Sequence, residues 1–382
     1  MPTGTQTPSS TESKRPISRQ RRFAYVAIIY SLFLLLLVGV EVGTRLTTSP
    51  ISSLDLFVVT PQQKAQVADP KQSTIFEGDP LLLWRLKPNL RQAVWDFTIV
   101  STNGSHLRAD RELKPKQPGA IRIVCAGDSV TFGFRVPAVW PERPTEYDPS
   151  HLPYPMLLEQ LLRKANPGRD IEVVTLAVPG YTSHQGLLWL KRDIDQLQPD
   201  LLTLSFGWND ASFGDVPDRE AISDGSFVVA TRWLIDHSQA FARATRWLRS
   251  RAQAKESKRR PTPRVSQSEY LNNFREMIQL GRGNGAEVLI LGAPYRDNIT
   301  NRPEAALMNS YRTSLRSAAQ ETQVPFLEVL ELTEAAYPAN EGWFGELIHP
   351  NHMGHRLITS ELLKLLDLNR QLDGLNIPAF AP

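Results

Sequence analysis

From Ile121 onward the sequence alternates short apolar runs with amphipathic helical patterns, and this alternation restricts the possible folds more than any other feature. "IRIVCA" is followed by a loop and then by "YPMLLEQLLRKAN". Next come "IEVVTLAV", "HQGLLWLKRDIDQL" and "DLLTLSF". After an interruption the pattern resumes with "SEYLNNFREMIQLGRGNG", "EVLILGA", "PEAALMNSYRTSLRSAAQET", "VPFLEV" and "HRLITSELLKLLDL". Strands covered on both faces read as nearly continuous apolar runs, and the helices between them make the crossovers that parallel pairing needs. Five such strands predict an α/β domain with a five-stranded parallel sheet between helical layers. No internal repeat accompanies the alternation.

In an open parallel sheet, sites form beyond the carboxyl ends of the strands. Those ends carry unusual residues here. After "IRIVCA" comes "GDSVTFG", with Ser129; after "IEVVTLAV" comes "PGYTSHQG", with Gly180. After "DLLTLSF" comes "GWNDA", with Asn209 and Asp210. The last loop ends in "ELIHP", with Glu346 and His349. A hydroxyl nucleophile needs a base within hydrogen-bond reach and donors aimed at the developing oxyanion. Ser129, His349 and the pair Gly180 and Asn209 supply those roles. Each motif alone is weak, since "GWND" by itself also reads as a turn whose Asn and Asp bond their own backbone. Four in this order, each just after a strand, are much more specific.

Together "GDSV", the Gly of "AVPGYTS", "GWND" and "ELIHP" resemble the four blocks of the SGNH (GDSL-type) hydrolases, over roughly residues 121–368. The resemblance implies a flavodoxin-like three-layer α/β/α sandwich and a carboxylic ester hydrolase. It implies Ser129 as nucleophile and His349 as base. It also implies an oxyanion hole made of the Ser129 and Gly180 backbone N–H groups and the Asn209 side chain. No cofactor and no metal is implied. The family pattern has Asp three residues before the His, where this chain has Glu346. Some triads use Glu as the orienting acid; the rival is a Ser–His dyad. Hydrolysis of acyl esters, such as O-acetyl groups on envelope glycans or lipids, stands beside O-acyl transfer to an extracytoplasmic polysaccharide. A non-catalytic glycan- or lipid-binding module is the third reading.

At the N-terminus, a basic tail (residues 1–22) precedes "FAYVAIIYSLFLLLLVGV", which runs from Phe23 to Val40 without a charge. Eighteen helical residues span roughly 27 Å, close to a bilayer's hydrocarbon core of about 30 Å. A transmembrane signal anchor over 23–44 is expected, with Lys14, Arg15, Arg19, Arg21 and Arg22 keeping the N-terminus cytoplasmic. The rest would then lie outside the cytoplasm, periplasmic or on the cell surface. Glu41 and Arg45, four apart, are positioned to pair. A cleaved signal peptide is the alternative, although the apolar run is long for one and lacks an A-x-A site. Residues 45–117 are Pro-rich and irregular, with short strands in "LLLWRLKPNL" and "QAVWDFTIVST"; the hydrolase domain is expected over 118–370.

The alternation breaks at an insertion, 211–266. It mixes Trp233, Phe241 and Trp247 with Arg243, Arg246, Arg249 and Arg251, and ends in "KRR" at Lys258–Arg260. It reads either as a helical lid with a basic face toward lipid headgroups or an anionic polymer, or as a solvated helix and loop. The whole chain has 43 Lys and Arg against 40 Asp and Glu, a net charge of +3, which gives no reason to expect nucleic acid. Its one cysteine, Cys125, rules out an intrachain disulfide and reads as a small buried hydrophobe. His352 and His355 follow His349 at intervals of three. Pro350 keeps His349 out of the helix, so the two are expected to be helix-surface or packing residues rather than metal ligands. Asp210 is expected to make structural hydrogen bonds.

Overall fold

The computed structural model describes residues 18–52, 56, 75–140, 142–214, 216–222, 225–256, 262–295, 303–336, 341–369, 372 and 374–382. Lys14, Arg15, much of the 45–117 segment before residue 75, and Lys258–Arg260 lie outside the described residues. The first helix, α1 (Arg19–Thr47), covers the apolar run and continues past both of its ends. It is long and apolar enough to cross a membrane, and its apolar side chains are exposed on every side. Such a helix serves as a membrane anchor or as a signal sequence.

Two antiparallel hairpins follow: β1 (Phe76–Asp79) with β2 (Leu83–Leu86), and β3 (Ala93–Trp95) with β4 (Thr98–Val100). The stretch "QAVWDFTIVST" is thus two strands rather than one. Asp96 and Phe97 both take positive φ, 41° and 58°, which is the geometry of the tight turn favoured between twisted antiparallel strands.

The main sheet contains β5 (Ile121–Gly127), β8 (Ile171–Ala177), β9 (Leu201–Ser205), β12 (Glu287–Leu291) and β13 (Phe326–Leu327), all parallel. The remaining short strands are β6 (Ala138–Val139) with β7 (Arg143–Tyr147), and β10 (Phe213–Gly214) with β11 (Thr262–Pro263). The order across the sheet is β13-β12-β9-β5-β8. Renumbered along the chain, that is 2-1-3-4-5, the flavodoxin-like order, with its switch point between β5 and β9.

All of β5 is buried, and its residues divide by the pleat. Ile121, Ile123 and Cys125 join a core shared with helices α3 (Tyr154–Ala165) and α12 (His352–Asn369). Val124 and Ala126 join the opposite core, under α4 (Ser183–Leu197), α9 (Gln267–Gly283) and α10 (Pro303–Glu321). That gives three layers. Local sequence sets the helix starts: Thr182 with Gln185 and Ser266 with Glu269 form capping boxes. Burial pushes the Cys125 thiol up to about 12, so it is an apolar packing group.

The remaining helices are α2 (Ser129–Phe132), α5 (Trp208–Ala211), α6 (Asp218–Ala221), α7 (Ser226–His237), α8 (Gln239–Glu256) and α11 (Val329–Ala336). Of these, α6 to α8 belong to the insertion, whose two ends are tied by β10 and β11. The hairpins of residues 76–100 put Phe76, Leu82, Trp84 and Trp95 into the same core as α4 and α9, so the irregular N-terminal segment is packed on the sheet domain.

Candidate active site

Strand β5 ends at Gly127, where an added Cβ would press on Thr131 and lie 2.8 Å from the Ser205 carbonyl oxygen of β9. The strand ends approach too closely there for any side chain. Asp128 then caps α2, its Oδ1 accepting the Val130 N–H at 2.9 Å. Ser129 is therefore the first residue of a short helix, and it is 7% exposed. Beyond α2, the buried Arg108 guanidinium donates to the carbonyls of Phe132, Gly133 and Val136, the last two at 3.0 Å, and to that of Ile99 at 3.0 Å.

His349 stands on a loop closed on itself. Phe344 and Pro350 form an antiparallel bridge, and the Gly345 N–H donates to the His349 carbonyl at 3.0 Å. His349 Nε2 lies 2.7 Å from Ser129 Oγ, and its Nδ1 is hydrogen-bonded to Glu346 Oε1. Glu346 Oε2 accepts the Leu347 N–H at 2.9 Å, so the extra methylene is absorbed by a side chain folded back on its own backbone. Burial pushes the Glu346 carboxyl up. The His349 ring and its hydrogen bond, together with the Arg135 charge, outweigh that and bring it down to about 2. An ionised Glu346 only accepts, so Nδ1 carries the ring proton and Nε2 is left to accept from Ser129. Phe134 packs against the imidazole at 4.5 Å between centroids.

Gly180 has φ +85°, which a side chain would strain. Its loop is held from three directions. Trp84 Nε1 donates to Pro179 O at 3.3 Å, the Tyr181 hydroxyl donates to Trp84 O, and Arg264 Nη1 donates to Gly180 O at 2.9 Å. Asn209 Nδ2 donates to Tyr181 O at 3.0 Å and to Asp128 Oδ2 at 3.4 Å. The Asn209 amide thus bridges the Gly180 loop and the residue before Ser129. Asp210 is fully buried and accepts from the Ser183 N–H at 3.0 and 3.1 Å and from its hydroxyl at 2.5 Å. These bonds tie α5 to the start of α4. Burial pushes the Asp210 carboxyl up to about 8 and that of Asp128 up to about 6, in each case against the hydrogen bonds they accept.

The structure brings Ser129, His349 and Glu346 into one hydrogen-bonded line, with Gly180 and Asn209 joined to it through Tyr181 and Asp128. His352 and His355 go elsewhere. His352 stacks on His151 at 3.6 Å, and the buried His355 accepts the Tyr154 N–H at 3.2 Å through Nδ1. Among the described residues, no group of three or more His, Cys, Asp and Glu side chains is arranged to hold a metal ion.

The model of the GDSL-like lipase/acylhydrolase family matches residues 125–357 of the 382. The chain belongs to this family. It is a carboxylic ester hydrolase. No curated protein matches the chain. Among solved structures, an acetylxylan esterase from Geobacillus stearothermophilus aligns at 17% identity and TM-score 0.41, over 64% of this chain and 94% of that one. A lipase/acylhydrolase from Enterococcus faecalis aligns at 16% and 0.41, over 68% and 98% respectively. A G-D-S-L family lipolytic protein from Veillonella parvula aligns at 14% and 0.40, over 65% and 99%.

This GDSL-like hydrolase also holds its site with residues that the motif blocks do not contain. Arg108 and Trp84 come from the N-terminal segment, and Phe134 and Arg135 from the loop after α2. Arg264 comes from the far end of the insertion, where its guanidinium pairs with the buried Asp218 at 3.0 and 2.9 Å. Asp218 in turn accepts from Thr182 Oγ1 at 2.7 Å. Asp128, Tyr181 and Thr182 lay inside motif blocks, and the place of Asp128 before Ser129 in a strand-to-helix turn is an N-cap signal.

Proposed function

We propose that the hydrolase is a serine esterase using Ser129, His349 and Glu346. Ser129 Oγ attacks the acyl carbonyl while its proton passes to His349 Nε2. Glu346 fixes the tautomer and stabilises the imidazolium. The tetrahedral oxyanion takes the Ser129 and Gly180 N–H groups and the Asn209 amide, which exchanges its long contact with Asp128 for the substrate. His349 returns the proton to the leaving alcohol, and water hydrolyses the acyl-enzyme by the same route. The substrate class is an acyl ester, O-acetyl foremost, on envelope glycans or lipids. The helix α1 acts as the anchor, with the N-terminus cytoplasmic and the hydrolase domain on the other side. The observation that carries the catalytic reading is the 2.7 Å contact between Ser129 Oγ and His349 Nε2, with Glu346 behind it.

Turnover of p-nitrophenyl esters and acetylated polysaccharides by wild type and Ser129→Ala tests it. The variant should lose at least about 10³-fold in kcat while keeping its melting temperature. Near-wild-type turnover would remove Ser129 from the mechanism. Adding an acceptor sugar to the same assay separates hydrolysis from acyl transfer, since a transferase would yield acylated sugar at the expense of free acid.

A further inference from the structure

We propose that the helices α7 and α8 of the insertion form a platform lying on the anionic lipid headgroups of the membrane that α1 crosses; this rests on the reading of α1 as an anchor. The uncharged run ends at Val40, and the next residue, Glu41, is bound to the α7–α8 junction. Glu41 accepts from Ser238 Oγ at 2.8 Å, from Gln239 N–H at 3.0 Å and from Ala240 N–H at 3.0 Å. Arg45 closes the joint, donating to Glu41 at 2.6 Å and to the His237 carbonyl at 2.8 Å. Just beyond α1, Ile51 packs with Ile235 and Ala242, and its backbone pairs both ways with the Gln239 amide at 2.7 and 2.9 Å.

One residue of helix rises about 1.5 Å, so the junction sits at the level where the apolar span gives way to headgroups. The exposed side chains of the two helices that meet at this junction suit a lipid interface. Phe227 is 85% exposed, Trp247 53% and Leu248 60%, and Trp233 and Leu234 are also exposed. Aromatic rings gather at the headgroup level of membranes. Arg246 and Arg251 are exposed beside them, and the Arg251 guanidinium lies 3.9 Å over the Trp247 ring. Exposed aromatic and aliphatic groups with interleaved arginines give the composition of an interfacial helix rather than of a solvated one. Hydrogen bonds of α7 and α8 to the rest of the chain include those to α1, to residues 49–51, to Ala221 and to the β1–β2 turn through Arg232.

The test uses the full chain in phosphatidylglycerol vesicles, with a fluorophore on a single introduced cysteine. Cys125 is buried and stays unlabelled. Labels go on Leu34→Cys in α1, Leu248→Cys in α8 and Leu368→Cys in α12, all exposed positions. Spin-labelled lipid should quench the Leu34 and Leu248 labels, and iodide in the water should quench the Leu368 label alone. Arg246→Glu with Arg251→Glu should restore iodide quenching at Leu248, because each basic side chain near an anionic surface is worth about fivefold in partitioning. If lipid quenches at Leu34 but iodide reaches Leu248 freely, the platform is wrong and the anchor stands. Shielding of Leu248 from iodide only when polygalacturonate is added would instead assign the surface to an anionic glycan. If lipid quenches neither Leu34 nor Leu248, the anchor reading and the platform fall together.

Discussion

At the residue scale, the pair Glu346 and His349 carries the proposed mechanism, and a neighbouring histidine carries a cost in acid. Glu346→Gln should lower kcat by at least about 10²-fold with little change in KM, because the amide can donate to Nδ1 and favours the wrong tautomer. Steady-state kinetics decide it, and a nearly silent variant would leave a Ser–His dyad. His355 behaves differently. Burial, with the charges of Arg108, His349 and His352, holds its imidazole down at about 3 against an ordinary 6.5. Between those values the unfolded chain binds a proton that the native state refuses, so stability is present above pH 6.5 and falls as the pH drops toward 3. The slope contributed is up to about 1.4 kcal/mol per pH unit. Denaturant midpoints measured from pH 7 to 4 should fall for wild type and flatten for His355→Asn, whose side-chain oxygen can still accept the Tyr154 N–H. The kcat of folded His352→Ala should stay near wild type, since its ring faces His151.

At the element scale, the Gly180 loop depends on elements distant in sequence. The Asp218–Arg264 pair joins the two ends of the insertion and reaches the Gly180 carbonyl, with both side chains at most 2% exposed. Removing one partner strands a buried charge, which costs about 3–5 kcal/mol, whereas removing both costs less than the sum. Urea unfolding of Asp218→Ala, Arg264→Met and the double variant should show that deficit, and simple additivity would deny the coupling. These dependencies explain which parts of the molecule were legible. The sheet strands were, because β5, β8, β9 and β12 are apolar runs of five to seven residues. So was His349 just ahead of α12, because Pro350 bars the helix from reaching back. Glu346 could be placed by spacing, but not its fold back onto Leu347. Arg108, Trp84 and Arg264 gave no signal, since an arginine bound to carbonyls 9 to 84 positions away looks like any surface arginine in sequence. The docking of α8 on Glu41 was hidden for the same reason: the pairing spans 197 to 199 positions.

At the scale of the whole molecule, the proposed orientation makes a direct prediction. A reporter active only outside the cytoplasm should work when fused after Pro382, and a strictly cytoplasmic reporter at that position should stay silent; the reverse result would overturn the basic-tail argument. The sheet order has a consequence in time. Ser129 and the His349 ring that faces it are 220 positions apart, on the exit of the sheet's first strand and on the loop before the last helix. Synthesis proceeds from the N-terminus, so a nascent chain holds the proposed nucleophile long before it holds the proposed base. Until the loop carrying Glu346 and His349 has emerged and α12 has docked, Ser129 remains an ordinary alcohol. On the proposed mechanism, activity is therefore acquired only once His349 has docked, and a ribosome stalled anywhere before Pro350 leaves an inert product.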